Sequence, residues 1–254
     1  MAGHPQNPHI STTPQTELST LVQEQSPELL RSAAADKRLT EDLALALLQR
    51  RDLPAAAIEA MVKNGSVMKH RTVINAVVVH PHAPRHVSLP IIRRLFAFEL
   101  MNIALTPAVF ADIKKFAEDV LVSRLENTTP GERMSLAKRS SPAVAAALLL
   151  DPERRIMEAT LQNPRITEAA IVKALMRDDA PQHLIDTVCH DPKWSLRREI
   201  RIALLRNEKT PLAPALAFAE SMSSAALRQV LNNSRLRPNV KSYLIKMLEE
   251  RKSL

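Results

Sequence analysis

The chain repeats itself at one fixed spacing, and that spacing limits its possible folds more than any other property. Arg38-Leu39-Thr40-Glu41 is answered by Arg165-Ile166-Thr167-Glu168, Pro54 by Pro181, Pro84 by Pro211 and Leu121 by Leu248. The offset does not drift: 167 − 40, 181 − 54, 211 − 84 and 248 − 121 all equal 127. Identical pairs at this offset include Arg50/Arg177, Asp52/Asp179, Ile58/Ile185, Arg71/Arg198 and Ala76/Ala203. Others keep their chemical class, as Val73/Ile200, Val77/Leu204 and Phe116/Tyr243 do. Prolines, a capping threonine and core-type positions recur, while positions expected to be exposed drift. A structural unit that must bury one face on its neighbour behaves in this way.

The repeated element is helical. Leu43, Leu47 and Leu48 share a helical face, as do Ile58, Met61 and Val62. No stretch alternates apolar and polar residues as a half-buried strand does. The chain has 18 prolines and only three glycines. Proline suits the first turn of a helix and forbids continuation from the turn before, so this is the punctuation of many short helices. The spacing predicts helices over residues 14–23, 27–35, 40–50, 54–63, 67–79, 86–95, 97–105 and 108–124. The second set is predicted over 152–162, 167–177, 181–190, 194–206, 211–221, 223–232 and 238–251. Thr40 is placed to cap its helix. Thr129-Pro130-Gly131-Glu132 reads as a capping box, and Ser141-Pro142 opens a very apolar helix. Four segments follow: a disordered tail over 1–13, a first repeat unit over 14–124, connecting helices over 125–151 and a second repeat unit over 152–254.

Asn163-Pro164-Arg165-Ile166-Thr167, Asp178-Asp179-Ala180-Pro181, Asp191-Pro192 and the Arg197-Arg198 pair resemble the helix–turn–helix punctuation of HEAT-like repeats. They are nearest in style to the bacterial "leucine-rich repeat variant" type with its asparagine-proline turns. The resemblance implies an all-α, HEAT-like α-solenoid: one continuous superhelix of about fourteen to seventeen short antiparallel helices with a concave binding surface. The cysteine cluster that accompanies such repeats in one known class is absent, so the resemblance carries no iron–sulfur centre.

Several functions are excluded. A single cysteine, Cys189, forms no internal disulfide and no cysteine metal site, and its helical neighbours Leu184, Ile185 and Val188 point to a buried structural residue. There is no phosphate-binding glycine loop, no Gly-x-Ser-x-Gly elbow and no His-Glu-x-x-His pair. His80-Pro81-His82 with His70 and His86 lacks the carboxylate or cysteine that would complete a metal site, and capping or surface duty accounts for it. The longest apolar run, Ala143 to Leu150, is too short to span a bilayer, and the first residues do not form a signal peptide. The expectation is a cytoplasmic, non-catalytic scaffold without cofactor or metal, binding a protein partner on the solenoid surface. The net charge of +8 admits a nucleic-acid-binding alternative, with a DNA-repair glycosylase-like enzyme a distant third.

The candidate partner-binding residues lie about the starts of the helices predicted over 67–79 and 194–206: Lys69, His70 and Arg71 in the first, and Lys193, Trp194, Arg197, Arg198 and Arg201 in the second. Positive charge at a helix start opposes the helix dipole, so helix stability does not explain these groups. Two such clusters could track a phosphate backbone or an acidic partner. The plainer expectation is bridging to acids of the neighbouring repeat, with Asp52 and Asp179 as the partners. Trp194 could anchor a partner if exposed, but its counterpart Val67 is a core-type residue, which favours burial. Phe96 and Phe98, with Leu95, Leu100 and Met101, form the richest apolar group. Helical apolar positions usually face inward, so core is expected there; exposed, the group would be a protein-binding patch.

Overall fold

Seventeen α-helices and one short 3-10 turn, with no strand among the described residues, make up the part of the chain that the computed structural model describes, residues 14–251. The expected tail over residues 1–13 lies outside the described residues. The helices fall into two compact units divided after Val120.

The first unit holds α1 (Pro14–Gln23), α2 (Pro27–Ala35), α3 (Glu41–Gln49), α4 (Ala55–Lys63), α5 (Arg71–Val79), α6 (Arg85–Ile92), α7 (Ala97–Leu105) and most of α8 (Ala111–Ser123). The second holds α9 (Pro130–Arg139), α10 (Pro142–Leu148), α11 (Arg154–Leu161), α12 (Glu168–Leu175), α13 (Gln182–His190), α14 (Arg198–Arg206), α15 (Leu212–Glu220), α16 (Ser224–Asn232) and α17 (Pro238–Glu250). The six helices from α12 to α17 each start 127 residues after the corresponding helix from α3 to α8, from 168 − 41 through 198 − 71 to 238 − 111.

The helix starts follow from local chemistry. Thr40 and Thr167 cap α3 and α12, each hydroxyl accepting from a first-turn amide: Leu43 N at 3.4 Å and Ala170 N at 3.2 Å. Thr129 and Glu132 form the reciprocal capping box of α9. Two helices begin later than the apolar spacing predicts. The chain before α5 turns at Asn64, whose Oδ1 accepts from Ser66 N at 3.1 Å. Before α14 it turns at Asp191, whose Oδ1 accepts from both Lys193 N and Trp194 N at 2.9 Å. Each side chain holds the backbone in a turn for several residues, so the helices start at Arg71 and Arg198 rather than at 67 and 194. The helix predicted to reach residue 95 stops at Ile92, with Pro90 inside its last turn.

Within each unit a helix packs on its neighbour and on the second helix along. In the first unit α2 packs on α4 and α3 on α5; in the second α9 packs on α11, α12 on α14, α14 on α16 and α15 on α17. The first core gathers Leu30, Leu47, Ile58, Met61, Val73 and Val77. The second gathers Leu161, Ile171, Leu184, Ile185, Ile200, Leu204, Leu227 and Leu244. Each fully buried side chain of this size contributes about 1.5–3 kcal/mol.

A second set of contacts follows the same two-helix step. The last carbonyls of an α-helix lack partners within it. Here side chains that follow the second helix along reach back to them. Asn64, after α4, donates to Ala34 O at 3.1 Å and Asp36 O at 2.8 Å, at the end of α2. Asn163, after α11, donates to Ala137 O at 2.8 Å in α9. Asn207, after α14, donates to Leu175 O at 2.6 Å, the last residue of α12. His80 reaches Arg50 O after α3, Trp194 reaches Leu161 O at the end of α11, and Arg251 reaches Met222 O and Ala219 O at the end of α15. The same asparagines accept a turn amide with their other end, Asn163 Oδ1 taking Arg165 N at 2.8 Å. Asn163 is 1% exposed, and these hydrogen bonds make its burial tolerable.

Candidate functional site

Two residues of the first basic cluster, His70 and Arg71, face acids of their own unit. Arg71, the first residue of α5, meets Glu99 of α7: Nε donates to Oε1 at 2.9 Å and Nη2 donates to Oε2. Asn75 Nδ2 adds a bond at 3.0 Å and the Phe96 N–H another at 2.8 Å. Burial works to raise the Glu99 pKa, but the bonds from Arg71, the Phe96 amide and Asn75 outweigh it and hold the carboxyl below its ordinary range. His70 Nδ1 lies 2.8 Å from Glu41 of α3. Lys69 is exposed.

The acids that do this are Glu41 and Glu99, not the expected Asp52 and Asp179. Asp52 is held by Arg50 two residues away, through Nε at 3.1 Å and Nη2 at 2.7 Å, and that bond holds its carboxyl low. Asp179 is held by Arg177 through two bonds of 2.7 Å. The short loop after each helix lays the aspartate in the plane of the guanidinium, and the fork then binds both oxygens.

The second cluster is arranged differently. Trp194 is 4% exposed, with Nε1 donating to Leu161 O at 3.1 Å, so it is a core and capping residue and does not present a stacking face. Lys193 Nζ lies 4.1 Å from the centre of that ring. Arg201 is fixed by Nε to Ser195 O at 2.7 Å and Nη1 to Ser221 Oγ at 2.9 Å. Arg197 and Arg198 are exposed, and neither guanidinium has a hydrogen bond or ion pair among the described residues. Chain position explains the contrast for Arg198. At the 127-residue offset its acid Glu99 becomes Ala226 (99 + 127) and Phe96 becomes Ser223 (96 + 127). A cavity of about 290 Å³ lies there, lined by Arg198, Arg201, Ser221, Ser223 and Ala226 together with Leu196 and Met222.

The apolar group around Phe96 divides. Leu95, Leu100 and Met101 are buried as expected, but Phe96 is 67% and Phe98 40% exposed. Phe96 is the N-cap of α7 with extended backbone (φ −76°, ψ 161°), so helical phase does not direct its side chain inward. The Arg71 guanidinium lies 4.4 Å from its ring centre. The next pair of helices repeats the device: Arg85 opens α6, lies 4.9 Å from the exposed Phe110 ring and bonds Asp112 at the start of α8 at 2.7 Å. Both arginines precede their phenylalanine by 25 residues (96 − 71 and 110 − 85), a spacing visible in the sequence and not singled out there.

His80 and His82 spend their ring nitrogens on the backbone. His80 Nε2 meets Arg50 O at 2.9 Å, and His82 Nδ1 meets Leu53 O at 3.0 Å. Among the described residues no three His, Cys, Asp or Glu side chains gather where they could hold a metal, and no helix is long and apolar enough to cross a membrane. Compared with family models, with curated proteins and with solved structures, the chain matches none.

Proposed function

We propose that the chain is a non-catalytic interaction scaffold, a HEAT-like α-solenoid built by duplication, which binds a protein partner through the exposed aromatic residues of its first unit. The matching helix starts at the 127-residue offset and the two-helix packing step support the architecture. The observation that carries the function is Phe96: a large ring left 67% exposed while Arg71 holds one of its faces. A rigid aromatic beside an arginine is the composition of a binding hot spot. Burying such a ring under a partner contributes about 1.5–3 kcal/mol. A nucleic acid tracked by two basic points would need both clusters free, and His70 and Arg71 already face Glu41 and Glu99.

The test is affinity capture with the full chain, with nuclease added as a control, beside a Phe96→Ala, Phe98→Ala double variant. A protein retained after nuclease and lost on the double variant supports the reading. Retention that nuclease abolishes, or that survives loss of both rings, removes it.

A further inference from the structure

We propose that the cavity between the starts of α14 and α16 receives a carboxylate from an acidic segment of a protein partner. The inference rests on the scaffold reading only for the source of that carboxylate.

The molecule contains its own pattern for the bound state. In the first unit the Glu99 carboxylate fills the place between the starts of α5 and α7, taking Arg71 Nε at 2.9 Å, Asn75 Nδ2 at 3.0 Å and the Phe96 N–H at 2.8 Å. The second unit keeps the arginine and the helix start, lacks the acid, and has Ile202 in place of the Asn75 donor (75 + 127). Arg198 stands for Arg71, the N–H of Ser223 has the chain position of the Phe96 N–H, and Ala226 stands where Glu99 would be. The two shortened side chains leave the cavity of about 290 Å³.

The site is also more positive than its counterpart. Arg201, which replaces an isoleucine (Ile74), adds a second guanidinium to the lining. Its Nε and Nη1 are tied to Ser195 O and Ser221 Oγ, so it is already oriented before anything binds. Neither arginine has a carboxylate partner among the described residues. One preoriented guanidinium, Arg201, and one free one, Arg198, beside a helix N-terminus select an anion. The apolar lining residues Leu196, 67% exposed, and Met222 suit the methylene stem of a glutamate side chain better than a phosphate chain, which would require cations along a track.

The experiment is a titration of the full chain with a short, fluorescently labelled glutamate-rich peptide and with its glutamine counterpart. We expect the glutamate peptide alone to bind. Arg198→Ala should weaken binding by at least roughly tenfold, as loss of a charge-assisted pair does, without lowering the melting temperature. Ala226→Glu should restore the first unit's internal pair, raising the melting temperature and abolishing peptide binding. Phe96→Ala should leave peptide binding unchanged, so failure at the aromatic patch and failure at this cavity are read separately. Equal binding of the two peptides, unaltered binding by Ala226→Glu, or binding of inorganic phosphate without the glutamate peptide would each overturn the proposal.

Discussion

Arg71 and Glu99 join the starts of two helices that lie two steps apart in the chain, and at the 127-residue offset the same arginine, Arg198, meets Ala226 instead. The contrast makes one unit self-contained at this position and leaves the other with unspent charge. Arg71→Ala takes the guanidinium from a mostly buried carboxylate that its remaining donors only partly satisfy. We expect a loss of about 1–2 kcal/mol, reduced by the exposure of the arginine side. Arg198→Ala has no such partner to strand and should stay within about 0.5 kcal/mol of the parent. Urea denaturation of both variants measures the difference.

The same pair gives a pH dependence. Glu99 has a lowered pKa in the folded chain, because the bonds from Arg71, the Phe96 amide and Asn75 overcome the burial that would raise it. A depressed carboxyl contributes stability that is fully present above its unfolded pKa and is lost as the pH falls through its folded pKa. The parent should therefore lose more stability than Glu99→Gln between neutral pH and the acid side of the glutamate range. Thermal melts across that range follow it; parallel curves for the two proteins would show that the pair contributes nothing.

The helix pattern was legible because its determinants are local. Thr40, Thr129 and Thr167 announce helix starts from their own side chains, and proline marks them from its own ring. What a side chain meets two helices away is not local. Nothing at Arg71 or Arg198 distinguishes them, since the deciding residues, Glu99 and Ala226, lie 28 positions further on (99 − 71 and 226 − 198). Asp52 and Asp179 misled for the converse reason: their partners were two residues away, closer than the expected bridge. Phe96 lies between the helices predicted over 86–95 and 97–105, so the inward rule for helical apolar positions does not reach it. Asn163 reads in the sequence as turn punctuation, and its second bond, back to Ala137 O in α9, depends on packing that no local pattern encodes.

Cys189 should be inert while the chain is folded. Burial, with the nearby Asp186 charge adding to it, pushes its thiol up to about 12, so almost no thiolate forms at neutral pH. Alkylation followed by mass spectrometry should show little modification in native buffer and complete modification in denaturant. Modification in native buffer at the rate of a free thiol would mean that α13 opens readily.

Asn163 is the place where one substitution should cost most for its size. It is buried, its Nδ2 serves the end of α9 and its Oδ1 fixes the turn before Thr167. Asn163→Ala leaves the Ala137 carbonyl and the Arg165 amide without these partners, a cost of about 1–3 kcal/mol. Asn163→Asp should be worse, because it keeps the acceptor, removes the donor and buries a charge facing a carbonyl. Melting temperatures in the order parent, alanine, aspartate check this; an aspartate variant as stable as the parent would contradict the assigned amide orientation.

His80 supplies a second acid-sensitive contact, with a tautomer fixed by its neighbours. Its Nδ1 lies 3.1 Å from the His82 amide, which can only donate, so Nδ1 accepts. Nε2 then carries the proton and donates to Arg50 O at 2.9 Å, closing the end of α3. Protonating the ring would place a second N–H against the His82 amide and a charge in a buried site. Burial is the main cause that lowers the His80 pKa, the Arg50 carbonyl works against it, and the His82 charge adds to the lowering. For a base held neutral in this way, the stability is fully present above the unfolded histidine pKa and is lost as the pH falls through the folded one. The first unit should therefore begin to lose stability as the pH falls through the unfolded histidine pKa. His80→Gln offers an amide donor to the same carbonyl and has nothing to protonate, so it should flatten that step while leaving the acid limb due to Glu99. Hydrogen exchange of the α3 and α5 amides as a function of pH reads this locally, and an unchanged step in the variant would place its origin elsewhere.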